Sequence, residues 1–151
     1  NQSFGRLFAF LLEPPFDPIV GQNVMHSLFH PQGVRPYVDN WDEVAGFLID
    51  RLYRESLTEL ETSYSRKLLD ALISYPGVPQ GMMDIDLTVA PPVCVTVNLE
   101  KGDTRLRLLS TLTTLGTPMD VTAQELRIES YFPADDVTGE WLRKSAASAA
   151  N

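Results

Sequence analysis

The amino-acid sequence predicts an α+β domain, on three observations. Apolar residues recur at helical spacing through the first half of the chain. From Val93 onward the period changes to the alternation of half-buried strands. The order is therefore helices, then antiparallel strands, then one helix, and not the strand–helix alternation of a parallel sheet. A length of 151 residues, 44% hydrophobic and 21% charged, suits a single domain over 1–151 with its own core.

The elements follow in order. "SFGRLFAFLLE" (3–13) reads as a helix stopped by Pro14 and Pro15. "EPPFDPIVGQ" (13–22) fits no pattern. "NVMHSLFH" (23–30) sets Val24 with Leu28 and Met25 with Phe29 at helical spacing, and Pro31 marks its end. "FHPQGVRPYVDNW" (29–41) reads as an elbow between helices. Pro31 ends the first, Gly33 permits a turn, Arg35–Pro36 extends the chain, and Asp39 or Asn40 caps the next helix. In "NWDEVAGFLIDRLYRES" the stripe is Trp41, Val44, Leu48 and Leu52, with Phe47 beside it. "SRKLLDALISY" (65–75) presents Leu68, Leu69, Leu72 and Ile73, and Pro76–Gly77 closes it.

"IDLTV" (85–89) has the composition of a short strand. "VCVTVNL" (93–99) places Val93, Val95, Val97 and Leu99 on one side. "EKGD" (100–103) is the hairpin turn. "TRLRLLSTLTTL" (104–115) begins in clean alternation and slips phase at Leu108–Leu109, as a bulge causes, before "GTP" (116–118) breaks the run. "ELRIESYF" (125–132) alternates again. "ADDVTGEWLRKSAASAA" is a terminal helix capped near Asp135, with Val137, Trp141 and Leu142 inward, fraying along its Ala/Ser end.

Composition excludes several functions. Twelve Lys and Arg against twenty Asp and Glu give a net charge of −8, which argues against a nucleic-acid surface on this chain. The short basic runs "RLYRE", "SRK" and "TRLRL" read as solvated faces. No apolar run is long enough to span a bilayer, and no signal-peptide pattern stands at the start. Cys94 is the single cysteine, so there is neither an internal disulfide nor a Cys-based zinc site, as in a cytoplasmic protein. Its β-rich surroundings make it a small core or sheet residue.

Chemistry is sparse. Nucleotide-binding, nucleophile-elbow, zinc-protease and calcium-loop motifs are all missing. His26 and His30 stand four apart on a helix, a spacing that binds metal, but a third ligand has to come from elsewhere. The carboxylate pairs Asp42/Glu43 and Asp135/Asp136 sit where helix caps belong, "TAQE" (122–125) fits a capping box, and Asp84/Asp86 has no orienting partner. Phe4, Phe8, Phe10, Met25, Phe29, Phe47, Met82 and Met83 supply soft apolar surface, which either fills a core or lines an apolar pocket.

Two stretches, 23–55 and 91–143, with "LLDALISYPGVP" (68–79) between them, resemble the MmyB-like ligand-binding domain of bacterial Cro/repressor-type (XRE) helix-turn-helix regulators. "FHPQGVRP" and "LSTLTTLGTPMDVTAQELRIESYFPADD" carry the resemblance. It implies a PAS-like antiparallel sheet with helices on one face, and a non-enzymatic sensor without cofactors. It further implies fatty-acid-like ligands, DNA contact only through a helix-turn-helix segment outside this chain, and a homodimer. It also implies that the sheet's first strands precede residue 1, leaving one edge open or paired elsewhere. Two rival readings stand beside it: a small metal-assisted enzyme using His26 and His30, and a dimerisation module with no ligand. On the sensor reading, an elongated apolar pocket lies between sheet and helices. Met25, Phe29, Phe47 and Leu48 form its helical wall, and Val95, Val97, Leu109 and Thr111 its sheet wall. Arg35 or His30 receives the polar end of the ligand.

Overall fold

A computed structural model describes residues 2–58, 64–78, 81, 84–114 and 127–147. Met82, Met83, the "GTP" break, the "TAQE" capping box and the end of the Ala/Ser tail lie outside the described residues.

Helix α1 spans Gln2–Leu11 and ends before Pro14 and Pro15, which lack the amides to continue it. The unassigned stretch after it takes a definite form: a cis Pro14–Pro15 peptide, then a 3-10 turn at Pro18–Gly21 capped by Asp17, whose carboxylate accepts from the Ile19 amide at 3.0 Å. Helix α2, Val24–Phe29, is capped by Asn23, which accepts from the Met25 amide at 2.7 Å. Helix α3, Trp41–Thr58, buries Val44, Ala45, Leu48, Ile49 and Leu52. Helix α4, Tyr64–Ile73, buries Leu68, Leu69 and Leu72. Each of these buried Val, Leu and Ile side chains contributes roughly 1.5–3 kcal/mol.

Strands β1 (Val95–Lys101), β2 (Thr104–Thr114) and β3 (Arg127–Pro133) form an antiparallel sheet in the order β1-β2-β3. The β1–β2 hairpin turns at Gly102, φ +58°, a conformation that glycine adopts without strain. Val95 pairs with Ser110, Val97 with Leu108 and Leu99 with Leu106; all six are buried beneath the helices. The protein is thus α+β, with helices packed against an antiparallel sheet.

The register corrects several expectations. It runs without interruption from Val95↔Ser110 to Lys101↔Thr104, so there is no bulge at Leu108–Leu109. Leu108 alone continues the inward face, and Leu109 simply lies on the outer one. Strand β1 starts at Val95; Val93 is 97% exposed and Cys94 is exposed, not in the sheet or the core. "IDLTV" is a loop. The Asp86 carboxylate accepts from the Thr88 amide (2.9 Å) and hydroxyl (2.6 Å), and this local bonding replaces a strand ladder. Arg54, read as part of a solvated face, holds that loop by donating to the Asp86 and Val89 carbonyls at 3.0 and 2.9 Å. Helix α5, Asp136–Ala147, is capped by Asp135 as expected, through the Thr138 amide at 2.8 Å. Trp141 and Leu142 pack against the core as expected, and the fully buried residue is Thr138, which accepts the Arg107 amide of β2 at 2.8 Å. That docking turns Val137 outward, to 69% exposed.

The elbow closes the free side of β1. Val38 bridges Leu99, and the Asp39 amide donates to the Asn98 carbonyl at 2.9 Å. Asn40 accepts the Asn98 amide at 2.9 Å and donates to the Thr96 carbonyl at 2.7 Å. Its side chain therefore completes the sheet edge, and its Nδ2 also donates to Glu43 in the first turn of α3 at 2.8 Å. Gly33 is required for space: a Cβ there would collide with the Ser27 carbonyl, which already accepts the Val34 amide. Its φ is not positive, so the expected permissive turn is not its reason.

Helix α1 is fastened across the sheet at both ends. Lys101 donates to the Phe10 and Leu11 carbonyls at 2.8 and 3.2 Å and pairs with Glu13 at 2.7 Å, a cation on the negative helix end. Phe10 meets Trp141 of α5, and Phe4 stacks on Tyr131 of β3.

Candidate ligand groove

Among the described residues a recess lies where α1 faces β3. Strand β3 pairs with β2 on one side only, and among the described residues no strand lies on its other side. Its consecutive residues 128–132 therefore all border a groove of about 590 Å³. Phe4 and Leu7 of α1 form the opposite wall, Val24 of α2 and Leu108 of β2 the floor, and Leu142 of α5 one end. The helical spacing of Phe4, Leu7, Phe8 and Leu11 explains the wall: all four turn to the same side of α1. Beneath the groove a narrow apolar cavity of about 30 Å³ runs on between α1 and the sheet. Phe4, Leu7, Val24, Leu108 and Tyr131 border both spaces, so the cavity extends the groove into the core.

One polar cluster stands in this apolar setting. Glu129 and Tyr131 are two apart on β3 and share a face with Ser110 of β2, the register partner of Tyr131. The Ser110 hydroxyl donates to the Glu129 carboxylate at 2.9 Å, and the Tyr131 hydroxyl is hydrogen-bonded to the same carboxylate. Burial pushes the Tyr131 phenol far above the ordinary tyrosine range, and the neighbouring Glu129 charge adds to the shift.

None of the ten residues expected from the sequence borders the main groove. Val97 borders the narrow cavity. Met25, Phe29, Leu48 and Val95 are buried in the core, with Phe29 packed edge-on to Trp41 at 5.0 Å, and Phe47 packs against that core. Leu109 pairs with Thr96, and Thr111 lies two residues on, so both sit on the sheet face opposite Val95 and Val97.

His30 and Arg35 stay at the elbow. Arg35 donates to the Pro76 and Gly77 carbonyls at 2.5 and 2.7 Å and stacks 4.7 Å over Trp41, locking the end of α4. A Cβ at Gly77, whose φ is +75°, would strike the guanidinium. His30 accepts the Gln32 amide at 3.1 Å.

The histidine pair is likewise engaged. His26 Nδ1 lies 2.7 Å from the Tyr75 hydroxyl, and both imidazoles meet the Tyr75 ring edge-on. Burial, then the neighbouring His30, holds the His26 pKa below the usual histidine value. Among the described residues no three His, Cys, Asp or Glu side chains gather in a metal-holding group.

The groove residues were within reach of the sequence. Phe4, Leu7, Phe8 and Leu11 stand at one helical face, and Glu129 and Tyr131 at alternate positions of a strand. What it did not show was that α1 crosses β3, because contact between elements far apart in the sequence leaves no local pattern.

Among the described residues no helix is long and apolar enough to cross a membrane. In comparison with known families, the MmyB-like transcription regulator ligand binding domain matches residues 1–144. No curated protein and no solved structure matches the chain.

Proposed function

The chain belongs to the MmyB-like transcription regulator ligand binding domain family, and from that premise we propose that it senses a single-chain apolar molecule in the groove between α1 and β3. The observation that carries the reading is a groove of about 590 Å³ that shares five lining residues with a narrow cavity in the core and is lined mostly by apolar side chains. Small-molecule sites are concave, mostly apolar and roughly 300–1,000 Å³ in volume. The reading includes a PAS-like single domain without catalytic activity, acting in the cytoplasm. It includes DNA contact through a helix-turn-helix segment outside these residues and a homodimer matched to paired half-sites. The net charge of −8 supports placing DNA contact elsewhere. The engaged His26 and His30 weigh against a metal-assisted enzyme, and the open groove weighs against a ligand-free dimerisation module.

Helix α1 forms one wall of the groove, so a bound ligand would touch it directly.

The test is displacement of an apolar fluorescent probe by alkyl amphiphiles of increasing chain length, on wild type and on Val24→Phe. Each added CH₂ contributes about 0.8 kcal/mol, roughly fourfold in affinity, until the groove is filled. Val24→Phe places a ring in the floor and weakens the longest chains by at least about tenfold with the fold intact. Affinity independent of chain length, or untouched by Val24→Phe, overturns the reading.

A further inference from the structure

Resting on that reading, we propose that Arg6 of α1 receives the ligand's polar end, and that this end is an oxyanion, a carboxylate or a phosphate monoester.

The argument begins with an unsatisfied donor. The Nη1 atom of Arg6 is buried and has no hydrogen-bond partner. A buried charged donor left unpaired is costly, and folded proteins keep few of them. The partly buried cations elsewhere are engaged. Arg35 donates to two backbone carbonyls, and Arg54 to Asp50 and the 86–89 loop. Arg51 lies 3.7 Å from Glu55, and Lys101 is held by Glu13 and the end of α1. The charge of Arg6 is enclosed by the fold without being answered by it.

Helical spacing places that charge beside the groove. Ser3, one turn before Arg6, borders the groove, and so does its neighbour Leu7. Phe10, one turn after it, meets Trp141 of α5, and the next residue, Leu142, closes one end of the groove. Arg6 therefore stands at the seam of α1 and α5, at the groove's α5 end. The residue as a whole is only partly buried, so its long side chain has the freedom to turn from the seam toward a bound head group.

The acid that borders the groove, Glu129, does not oppose an anion at this place. Helix α1 and strand β3 both advance toward the β1–β2 turn. Lys101 holds the end of α1 there, and Pro133, at the end of β3, pairs with Leu108. Phe4 stacks on Tyr131. Glu129 precedes that stack and Arg6 follows it, so a pair of rings stands between the two charges. Glu129 is bonded by Ser110 and Tyr131, and Arg51 acts on Tyr131 from α3. The protein answers the charge of Glu129 from within. The charge of Arg6 is answered by the ligand.

The donor set selects the head group. A guanidinium only donates, in a planar fork that matches the paired oxygens of carboxylate and phosphate. Such bonds are charge-assisted, whereas a hydroxyl accepts without bringing a charge. An ammonium offers no acceptor and meets a like charge.

The experiment compares dodecanoate, dodecyl phosphate, 1-dodecanol and dodecylamine, equal in chain length and used below their aggregation concentrations, by probe displacement at pH 7.5. The proteins are the wild type, Arg6→Gln, Arg6→Lys and the remote control Arg105→Gln, with circular dichroism checking each fold. In the wild type and Arg105→Gln at least one anion binds tighter than the alcohol by at least about tenfold, and the amine is weakest. The tighter anion names the head group. Arg6→Gln removes the anion's advantage and leaves 1-dodecanol within about twofold, while Arg6→Lys keeps part of the advantage. Without ligand, Arg6→Gln unfolds at a denaturant concentration no lower than the wild type's, since Arg6 has no bond to lose.

If 1-dodecanol or dodecylamine binds as tightly as both anions, the head-group inference falls while the groove stands. If Arg6→Gln weakens alcohol and anion alike, or destabilises the ligand-free protein, Arg6 serves the fold and the inference falls. If Arg105→Gln erases the anion's advantage as fully as Arg6→Gln, the preference comes from general surface charge and the inference falls. If none of the four displaces the probe, the groove reading falls and takes the inference with it.

Discussion

The elbow at 29–41 and the groove between α1 and β3 are opposites in sequence and in structure. The elbow concentrates unusual residues: two prolines, a glycine, an arginine, a histidine and a tryptophan. Most of their polar capacity is bound inside the molecule. Arg35 holds the end of α4, Asn40 and Asp39 close the β1 edge, and Gly33 lets Ser27 and Val34 meet. The groove is built of ordinary phenylalanine, leucine and valine. It keeps unfilled space and, among the described residues, a strand side with no neighbouring strand. A concentration of unusual residues marks where the chain solves a folding problem. Binding capacity is found where internal partners run out.

The comparison predicts that elbow substitutions change stability and leave ligand affinity alone, while groove substitutions do the reverse. The largest effect belongs to Gly33→Ala. The added methyl meets a backbone carbonyl, which cannot swing aside as a flexible side chain does. Denaturant unfolding should show a loss of about 2–4 kcal/mol. The folded fraction should still displace the apolar probe with wild-type affinity. Preserved stability with lost affinity would make the elbow part of the sensing site and end the contrast.

Arg35→Ala comes next. It removes two charge-assisted bonds to the Pro76 and Gly77 carbonyls and the stack over Trp41, and should cost about 2 kcal/mol. Arg35→Lys should recover only part of this, since an ammonium lacks the planar fork that reaches both carbonyls. The residue also discriminates between two locations for the ligand's polar end. If it sat at the elbow, Arg35→Ala would lower affinity strongly. With the ligand in the groove between α1 and β3, affinity changes by less than about twofold.

The uneven legibility of the molecule has a physical basis. Helix α3 was readable residue by residue, because its burial follows local spacing: Val44, Leu48 and Leu52 recur every four. The hairpin was readable from its turn glycine. Leu109 was misplaced because two adjacent leucines leave the phase of a strand ambiguous, and only the pairing of Thr96 with Leu109 settles it. Val137 was misplaced because a helix anchored by a buried threonine hides its docking face from hydrophobic patterning. The groove was least legible, since it exists only where residues 3–7 lie against residues 128–132.

The smallest expected effect sharpens the comparison through pH. His26 sits on α2 against Tyr75, on the elbow side of the molecule, with His30 beside it and Asp17 acting on Tyr75 from across. Burial, then His30, lowers its folded pKa below the usual histidine value of 6.5. As pH falls through 6.5 the unfolded chain takes up a proton before the folded one does, so its contribution to stability is full above that pH and is lost as pH drops toward the folded pKa. The depressed carboxyls of Asp86, Asp135 and Glu140 act in a lower window, beneath the usual carboxylate values, and do not overlap it. Wild-type stability measured from pH 7.5 to 5.5 should therefore fall, and His26→Gln should flatten that slope while costing about 1 kcal/mol at the upper end for the altered bond to Tyr75. 1-Dodecanol has no titrating group, so its affinity for the folded protein should stay level across the same range in both proteins. An affinity for the alcohol that falls with pH in wild type and not in His26→Gln would mean that the histidine pair and the groove are coupled, and that the elbow reports on the ligand after all.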